Sequence, residues 1–451
     1  MKSIAIIGAG ITGLTAAFYL KRAGAAVAVF EAGGRVGGVI QSIRKDGFLA
    51  ESGPNTILET SPKISELIRD LNLESRRIDP NPNAKSRYVV RDKRPVATPS
   101  SPAEFLTTKL FSARAKFALA REPFVPPRRD GVEESIAEFV LRRLNQEFLD
   151  RAIDPFVAGI YAGDPYKLSV RHAFPKLLAA EQKHGSLIKG QIFGASEQKS
   201  GEVSRRHARM FSFDEGLQVL PDALAAQLGD SLKLNALVTK LTQTAGGWRV
   251  LTSSGEKEHG AVIYCGTACK LAELKIEPPD SIDFSAFAEI RHPPVASVVL
   301  GFRREDVAHP CAGFGMLIPK IEGFKILGTI FSSALFPNRA PAGHITLTSY
   351  IGGTRHPELG LLPPEQLIET TLADLRALLG VRGRPGFTHT KTWPKAIPQY
   401  NVGHGKFKQL LNDIEARAAG LFFAGSYRDG VSLGDSIVSG VNIAEHAGKL
   451  F

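Results

Sequence analysis

A short apolar run, Ser3 to Ile7, feeds directly into three glycines, Gly8, Gly10 and Gly13. This G-x-G-x-x-G spacing, following a strand and opening a helix, is the turn that cradles a dinucleotide. Gly8 allows the tight bend, Gly10 lets backbone approach a pyrophosphate, and Gly13 lets the helix pack close on the strand. The helical pattern from Thr12 to Arg22 aims its first amides at that pyrophosphate, so Ala9, Ile11 and Thr12 join the candidate contacts. Gly24 suits the helix C-cap. A second apolar strand, Val27 to Phe30, ends at Glu31, whose carboxylate can accept both ribose hydroxyls. An acid at that place argues against a 2′-phosphate and hence against NADP. The competing reading, a glycine turn with no ligand, would need strand, glycines, helix, second strand and acid to fall in order by chance. The motif alone does not separate FAD from NAD.

The next residues do separate them. Glu31-Ala32-Gly33-Gly34-Arg35-Val36-Gly37-Gly38-Val39 resembles the second glycine-rich signature of the glutathione-reductase-like and amine-oxidase-like flavoproteins. The resemblance implies that Arg35 contacts the diphosphate, and that Ala32 and Val39 flank a chain passing close to the ribityl. Gly53-Pro54-Asn55-Thr56 resembles the loop that passes the isoalloxazine. Near the other end, Leu421 to Ala424 reads as a last buried strand, with Gly425 opening its loop. Val431-Ser432-Leu433 then start a helix whose N-terminus would face the flavin pyrimidine and stabilise its negative charge on reduction. FAD is the expected cofactor, held by residues some four hundred positions apart.

At 451 residues the chain can hold two or three domains. No run approaches ~18 apolar residues, so no membrane-spanning helix is expected. The apolar start is the first strand rather than a signal peptide. Three cysteines, Cys265, Cys269 and Cys311, with no C-x-x-C, suit a reducing compartment without disulfides or a bound metal. Net charge is +11, and residues 81–210 hold 23 Lys+Arg against 14 Asp+Glu, a balance of +9. A nucleic-acid surface, an anionic membrane surface and a pocket for an acidic substrate compete to explain this, besides a merely solvated basic face. No nucleic-acid module is visible, so no nucleic-acid partner is expected.

Along the chain, Ser61 to Leu73 has helical spacing behind a Ser-Pro start. Arg87 to Val90 reads as a strand and Pro95 to Pro102 as a break. Helical patterns at 103–120, 133–149 and 175–189 then displace the strand signal. Strands return from Phe211, with a helix at 218–228, antiparallel strands at Leu232 to Lys240 and Trp248 to Thr252, and a buried strand at Ala261 to Cys265. A second set lies at Val295 to Phe302, Met316 to Pro319, Lys325 to Phe331 and His344 to Ile351, followed by a helix at Pro363 to Leu379. The expected fold is α/β: a Rossmann-like, glutathione-reductase-like FAD domain (1–85, 210–290, 388–451), an antiparallel-sheet substrate domain (86–94, 291–387) and a helical, basic insertion (95–209).

The most specific stretch is Ile153-Asp154-Pro155-Phe156-Val157-Ala158-Gly159-Ile160-Tyr161-Ala162-Gly163-Asp164-Pro165. With Ser86-Arg87-Tyr88, Gly313-Phe314-Gly315, Leu327 to Phe331 and Ala424 to Gly430, it resembles the oxygen-dependent protoporphyrinogen oxidase family, which includes the coproporphyrinogen III oxidases. The likeness runs nearly end to end. It implies an FAD enzyme that removes six electrons from a porphyrinogen in three two-electron steps, with dioxygen as acceptor, and an insertion that docks on membrane. Arg87 would pair with a propionate, as a guanidinium fork fits a carboxylate. Phe314, Leu317, Phe331 and Tyr350 would wall an apolar macrocycle, although apolar strand residues are usually core. Gly159 would offer a backbone carbonyl to the pyrrole N–H groups. Trp393 would lie near the flavin and Val238 would contact adenine through its backbone. One departure is Ala162-Gly163, where many members carry two glycines. No catalytic acid or base stands out, and hydride loss to flavin needs positioning more than proton transfer.

The expected partners are therefore a porphyrinogen, dioxygen and an anionic membrane surface, with a homodimer admitted, in the cytoplasm and peripheral to its membrane. Protoporphyrinogen IX leads over coproporphyrinogen III, whose four propionates would call for more pocket cations. Another amine-oxidase-like flavoenzyme, or a silent FAD-bound scaffold, are the remaining alternatives.

Overall fold

The computed structural model describes residues 3–193, 208–277 and 282–450. The apolar runs pair as five parallel strands in the order Leu232–Lys233, Val27–Phe30, Ile4–Ile7, Ala261–Tyr264, Leu421–Phe423. Parallel strands buried on both faces need helices over them. The first helix, Ile11–Arg22, and the closing helix, Leu433–Ala447, cover one face together. They approach closely where Gly440 meets the first helix: a Cβ there would lie 2.5 Å from the Thr12 carbonyl oxygen. The two ends of the chain thus share one core.

The second layer is a seven-stranded sheet in the order Phe387–Trp393, Val295–Arg303, His344–Gly352, Ile326–Ile330, Gly315–Leu317, Arg87–Arg91, Arg94–Ala97. It is antiparallel except between Gly315–Leu317 and Arg87–Arg91, which run parallel. Three expectations are corrected here. The segment at 388–393, grouped above with the FAD domain, is an edge strand of this sheet, because its alternating Thr388, Thr390 and Thr392 pair with the long apolar strand from Val295. The stretch from Pro95 is not a break at first but the return arm of a hairpin, whose edge position tolerates the proline. The segment Leu232 to Lys240 is two strands: Leu232–Lys233 joins the parallel sheet, and Val238–Thr244 starts a meander with Gly247–Thr252 and Gly255–His259.

The basic insertion is helical, in shorter pieces than the pattern suggests: Pro102–Thr107, Ala113–Arg121, Ile136–Arg143, Asp154–Tyr161, Pro175–His184 and Leu187–Phe193 among them. Its last stretch, 194–207, lies outside the described residues. A π-turn at Leu149–Ile153 absorbs the approach to Pro155 and re-aims the helix that carries Gly159. Ala162 ends that helix in the left-handed region, φ 47°, where glycine is at ease and alanine is strained. Its methyl is buried with Ala158, Val295 and Leu327.

Two buried histidines set an acid limit. Burial holds His404 at about 3, with Lys408 and His172 adding to the effect, and holds His259 at about 4. Below the ordinary value of 6.5 the unfolded chain takes protons that these native imidazoles refuse, so stability falls from pH 6.5 downward. At pH 5, His404 alone should cost about 2 kcal/mol. Urea unfolding at pH 7 and pH 5 checks this: His404→Gln should shrink the difference between the two, and an unshrunken difference would contradict it.

Candidate functional site

The glycine turn behaves as a close-approach device. A Cβ on Gly13 would sit 2.0 Å from the Gly8 carbonyl oxygen, so helix and strand touch there. Gly8 itself holds φ 103°. A Cβ on Gly10, in contrast, would meet nothing within 4 Å, and the helix it starts has no side-chain cap. Open space beside uncapped helix amides is what a pyrophosphate needs. Glu31 stands at the end of the second strand, its two carboxylate oxygens accepting from the Ala9 and Gly33 amides at 2.8 Å each. Those bonds fix the carboxylate and leave lone pairs for two hydroxyls. Ala32 is exposed just beyond. The Asn235 and Ala236 amides bond the Gly33 and Glu31 carbonyls, which brings the backbone leading to Val238 alongside the same edge.

The second glycine cluster folds over the first: the Gly37 amide donates to the Ala9 carbonyl at 2.8 Å. Arg35 donates to the Val36, Gly38 and Ile40 carbonyls and so holds this loop curled. Val39 is left 52% exposed. Its carbonyl lies where a Cβ on Gly53 would be, 2.1 Å away, which seats the loop Gly53-Pro54-Asn55-Thr56 directly against it. At the other end, Thr12 Oγ1 donates to the Ser436 carbonyl, and Ser432 caps the closing helix in a capping box with Asp435. Gly425 and Leu433 therefore stand beside the first turn, while the Val431 side chain packs toward the helical insertion.

The seven-stranded sheet reaches into this arrangement from the opposite side. The Trp393 indole N–H donates to the Ser52 carbonyl at 2.9 Å, and the Tyr350 hydroxyl donates to the Gly53 carbonyl at 2.9 Å. Asn55 in turn donates to the Tyr350 oxygen, and Ser52 Oγ bonds His389 Nε2. Burial pushes the Tyr350 hydroxyl far above its ordinary range, so it stays protonated and keeps its donor role. Beneath the loop, Glu51 and Arg339 form a buried ion pair, with Ser42 and the Leu217 amide also on the carboxylate. Burial raises the Glu51 carboxyl to about 7 and lowers the Arg339 guanidinium.

Strand register gathers the substrate candidates. Leu317 pairs with Gly328, Gly328 with Tyr350, Tyr350 with Ser297, and Ser297 with Lys391. Two residues away, Arg87 pairs with Gly315 and Gly315 with Ile330. Side chains alternate along a strand, so Arg87, Leu317, Ile330, Tyr350, Lys391 and Trp393 share one face. Gly159 faces this row from the insertion; a Cβ there would come within 2.7 Å of Leu317 Cδ2. Phe314 and Ile330 both pack against the cluster of Ala84, Leu335 and Phe336, and the Arg87 guanidinium lies 5.6 Å over the Phe314 ring. No carboxylate lies within ion-pairing distance of Arg87 among the described residues. Phe331 is corrected: one residue on from Ile330, it turns to the opposite face and is fully buried against Tyr88 and His309. Two residues went unrecognised in the sequence. Ile330 lies on the face where Phe331 was expected, and Lys391 puts a cation 5.0 Å over the Trp393 ring. Ser297, between Tyr350 and Lys391, is buried with no partner for its hydroxyl among the described residues.

A dinucleotide with an aromatic ring system fits this donor set, from the open glycine turn to the loop pinned by Trp393 and Tyr350. A model of the flavin containing amine oxidoreductases matches residues 11–447. Among the relatives, protoporphyrinogen oxidase 2 of Arabidopsis thaliana is 36% identical, over 98% of this chain and 93% of its own. The chain belongs to the protoporphyrinogen oxidase group of the flavin containing amine oxidoreductases. It is an FAD-dependent oxidoreductase. Coproporphyrinogen III oxidase of Bacillus subtilis is 30% identical, over 97% of this chain and 96% of its own. A crystal structure from Exiguobacterium sp. 255-15 superposes with a TM-score of 0.85 at 24% identity, covering 100% of this chain and 99% of that one, and shares the fold.

Proposed function

We propose that this protein oxidises protoporphyrinogen IX to protoporphyrin IX in haem synthesis, with dioxygen as the final acceptor. The observation that carries this reading is the single sheet face with an unpaired arginine at one edge, apolar side chains across it and the flavin loop at the other edge. A flat, largely apolar macrocycle with propionates matches that order. Bound FAD supplies the two-electron acceptor, and three rounds convert one porphyrinogen and three dioxygen into one porphyrin and three hydrogen peroxide.

The chain's own part is orientation. Arg87 holds a propionate at the outer edge, a charge-assisted contact that fixes rotation of the ring. Leu317, Ile330, Phe314 and Tyr350 contact the macrocycle, and Gly159, lacking a side chain, leaves room beside Leu317 and offers its carbonyl to pyrrole N–H groups. Trp393 and Tyr350 hold the Ser52 and Gly53 carbonyls, so the ring-facing loop keeps one position through the reaction. For the insertion we propose contact with an anionic membrane surface. Leu106, Phe117 and Phe124 are 70%, 64% and 85% exposed on this basic unit. No helix among the described residues is long and apolar enough to cross a membrane.

Arg87→Ala should raise KM for protoporphyrinogen IX by about 10- to 100-fold, the value of a hydrogen bond to a charged group, with FAD content unchanged. Arg87→Lys should recover only part, since an ammonium cannot make the paired bonds. Steady-state assays on both variants check this, and an unchanged KM would remove Arg87 from the site. Should coproporphyrinogen III prove the better substrate in the same assays, the reading moves to the tetra-acid, with Lys391 as a further cation facing it.

A further inference from the structure

The loop between the last strand and the closing helix runs from Gly425 to Gly430. Both glycines hold positive φ, 122° and 123°, conformations that other residues rarely adopt. The Gly425 end is held by Asp429 and Ser439, whose Oδ2 and Oγ accept from its amide. The Tyr400 side chain bridges the loop from Ser426 to Gly430. The Tyr400 hydroxyl donates to the Ser426 carbonyl and accepts from the Gly430 amide at 2.9 Å. Tyr400 is 1% exposed, and its ring stacks on His404 at 4.2 Å. His404 in turn contacts the Tyr427 carbonyl through Nε2.

The same short segment grips the helical insertion. The Tyr400 carbonyl accepts from the Ser169 amide, the Val402 amide donates to the Lys167 carbonyl, and Gln399 Nε2 donates to the Tyr161 carbonyl. Tyr161 ends the helix that carries Gly159. Segment 399–404 is therefore a strut between the substrate-facing helix and the loop that delivers the closing helix.

We propose that Tyr400 is a positioning residue for the flavin. Its hydroxyl sets loop 426–430, and through it the first turn of the closing helix, against the bound ring. This rests on the reading that this helix N-terminus faces the flavin pyrimidine. Tyr400→Phe keeps the ring and its stacking but takes one partner from the partly buried Ser426 carbonyl and one from the partly buried Gly430 amide. The Gly430 end of the loop relieves that by shifting, and the helix amides that follow it shift with it. The oriented amides favour the reduced, more negative flavin, so the shift weakens reduced flavin more than oxidised.

The test uses the purified protein without substrate. FAD affinity is read by reconstituting the apoprotein, and the two-electron midpoint potential by redox titration of the flavin-loaded fraction. Tyr400→Phe should raise the FAD Kd about tenfold. It should lower the potential by about 30 mV, a tenfold loss of preference for reduced flavin. The potential is read on loaded protein, so it answers even where the variant lowers yield. Leu433→Asp, which adds a second carboxylate to the helix's first turn beside the capping Asp435, separates the two assumptions. If Leu433→Asp lowers the potential while Tyr400→Phe leaves Kd and potential unchanged, the hydroxyl merely satisfies backbone and the proposal is wrong. If neither variant moves the potential, the helix does not face the flavin, and both the placement and the proposal fall.

Discussion

Gly10→Ala should leave the apoprotein as stable as the parent and strip it of flavin. At Gly10 the backbone sits at φ −70°, where alanine is comfortable, and among the described residues nothing beyond its chain neighbours lies within 4 Å of the added methyl. Removing a glycine from the unfolded chain even favours folding by about 0.4–1 kcal/mol. The methyl instead fills the space that a pyrophosphate occupies over uncapped amides. Overpacking of that kind costs about 1–3 kcal/mol, so FAD affinity should fall up to about 150-fold. Gly13→Ala makes the informative contrast. Its methyl meets the Gly8 carbonyl oxygen at 2.0 Å whether or not FAD is bound. Helix and strand must then part, and the apoprotein itself should lose about 3 kcal/mol. Flavin absorbance per chain and urea midpoints on both apoproteins check the pair. Equal destabilisation by the two substitutions would mean that the space beside Gly10 is not a ligand site.

Arg143→Ala should be the most damaging substitution in the helical insertion. Arg143 and its partners Glu122 and Glu181 are fully buried. Its guanidinium donates to both carboxylates and to the Glu122 and Gly185 carbonyls. Glu122 also accepts from Ser186 Oγ and the Leu187 and Ile188 amides, which fastens the start of helix Leu187–Phe193. Burial alone would raise the Glu122 carboxyl, yet these hydrogen bonds win and hold it below its ordinary range. Both carboxylates therefore stay ionised, and removing the arginine takes the countercharge from buried Glu122 while Glu181 keeps Arg142. Breaking one side of a buried pair costs about 3–5 kcal/mol, whereas replacing the whole cluster with apolar residues can be neutral. Limited proteolysis and urea unfolding read the effect: the cut sites should appear first between residues 95 and 209. A loss below about 1 kcal/mol would place the cluster among solvent-screened surface pairs.

Much of the cofactor half was legible because its signals are local. A strand, three glycines and an acid sit within thirty residues, and the structure brings them together in one strand-turn-helix with Glu31 bonded to the Ala9 amide. The substrate face was legible only in part. Arg87, Gly159, Leu317 and Tyr350 were named through motif likeness, yet strand register is what puts Arg87, Leu317 and Tyr350 on one face, and a helix of the insertion brings Gly159 against Leu317. A strand's pairing partner lies far away in sequence, so neither alternation nor composition told Ile330 from Phe331. The edge strand Phe387–Trp393 escaped for a related reason. Its alternation of threonine with His389 and Lys391 looks polar throughout, because its partly covered face meets the flavin loop rather than an apolar core. The ion cluster around Arg143 was invisible as well: its charges read as surface until four separate segments are folded against one another.

The account stands or falls on whether a porphyrinogen reduces the flavin of this protein. The measurement is anaerobic mixing of the flavin-loaded enzyme with protoporphyrinogen IX and, separately, with coproporphyrinogen III, following the flavin absorbance. Fast bleaching by protoporphyrinogen IX, with slow bleaching by the tetra-acid and a slowed approach in Arg87→Ala, is the predicted result. A flavin that neither compound bleaches would contradict the proposed chemistry.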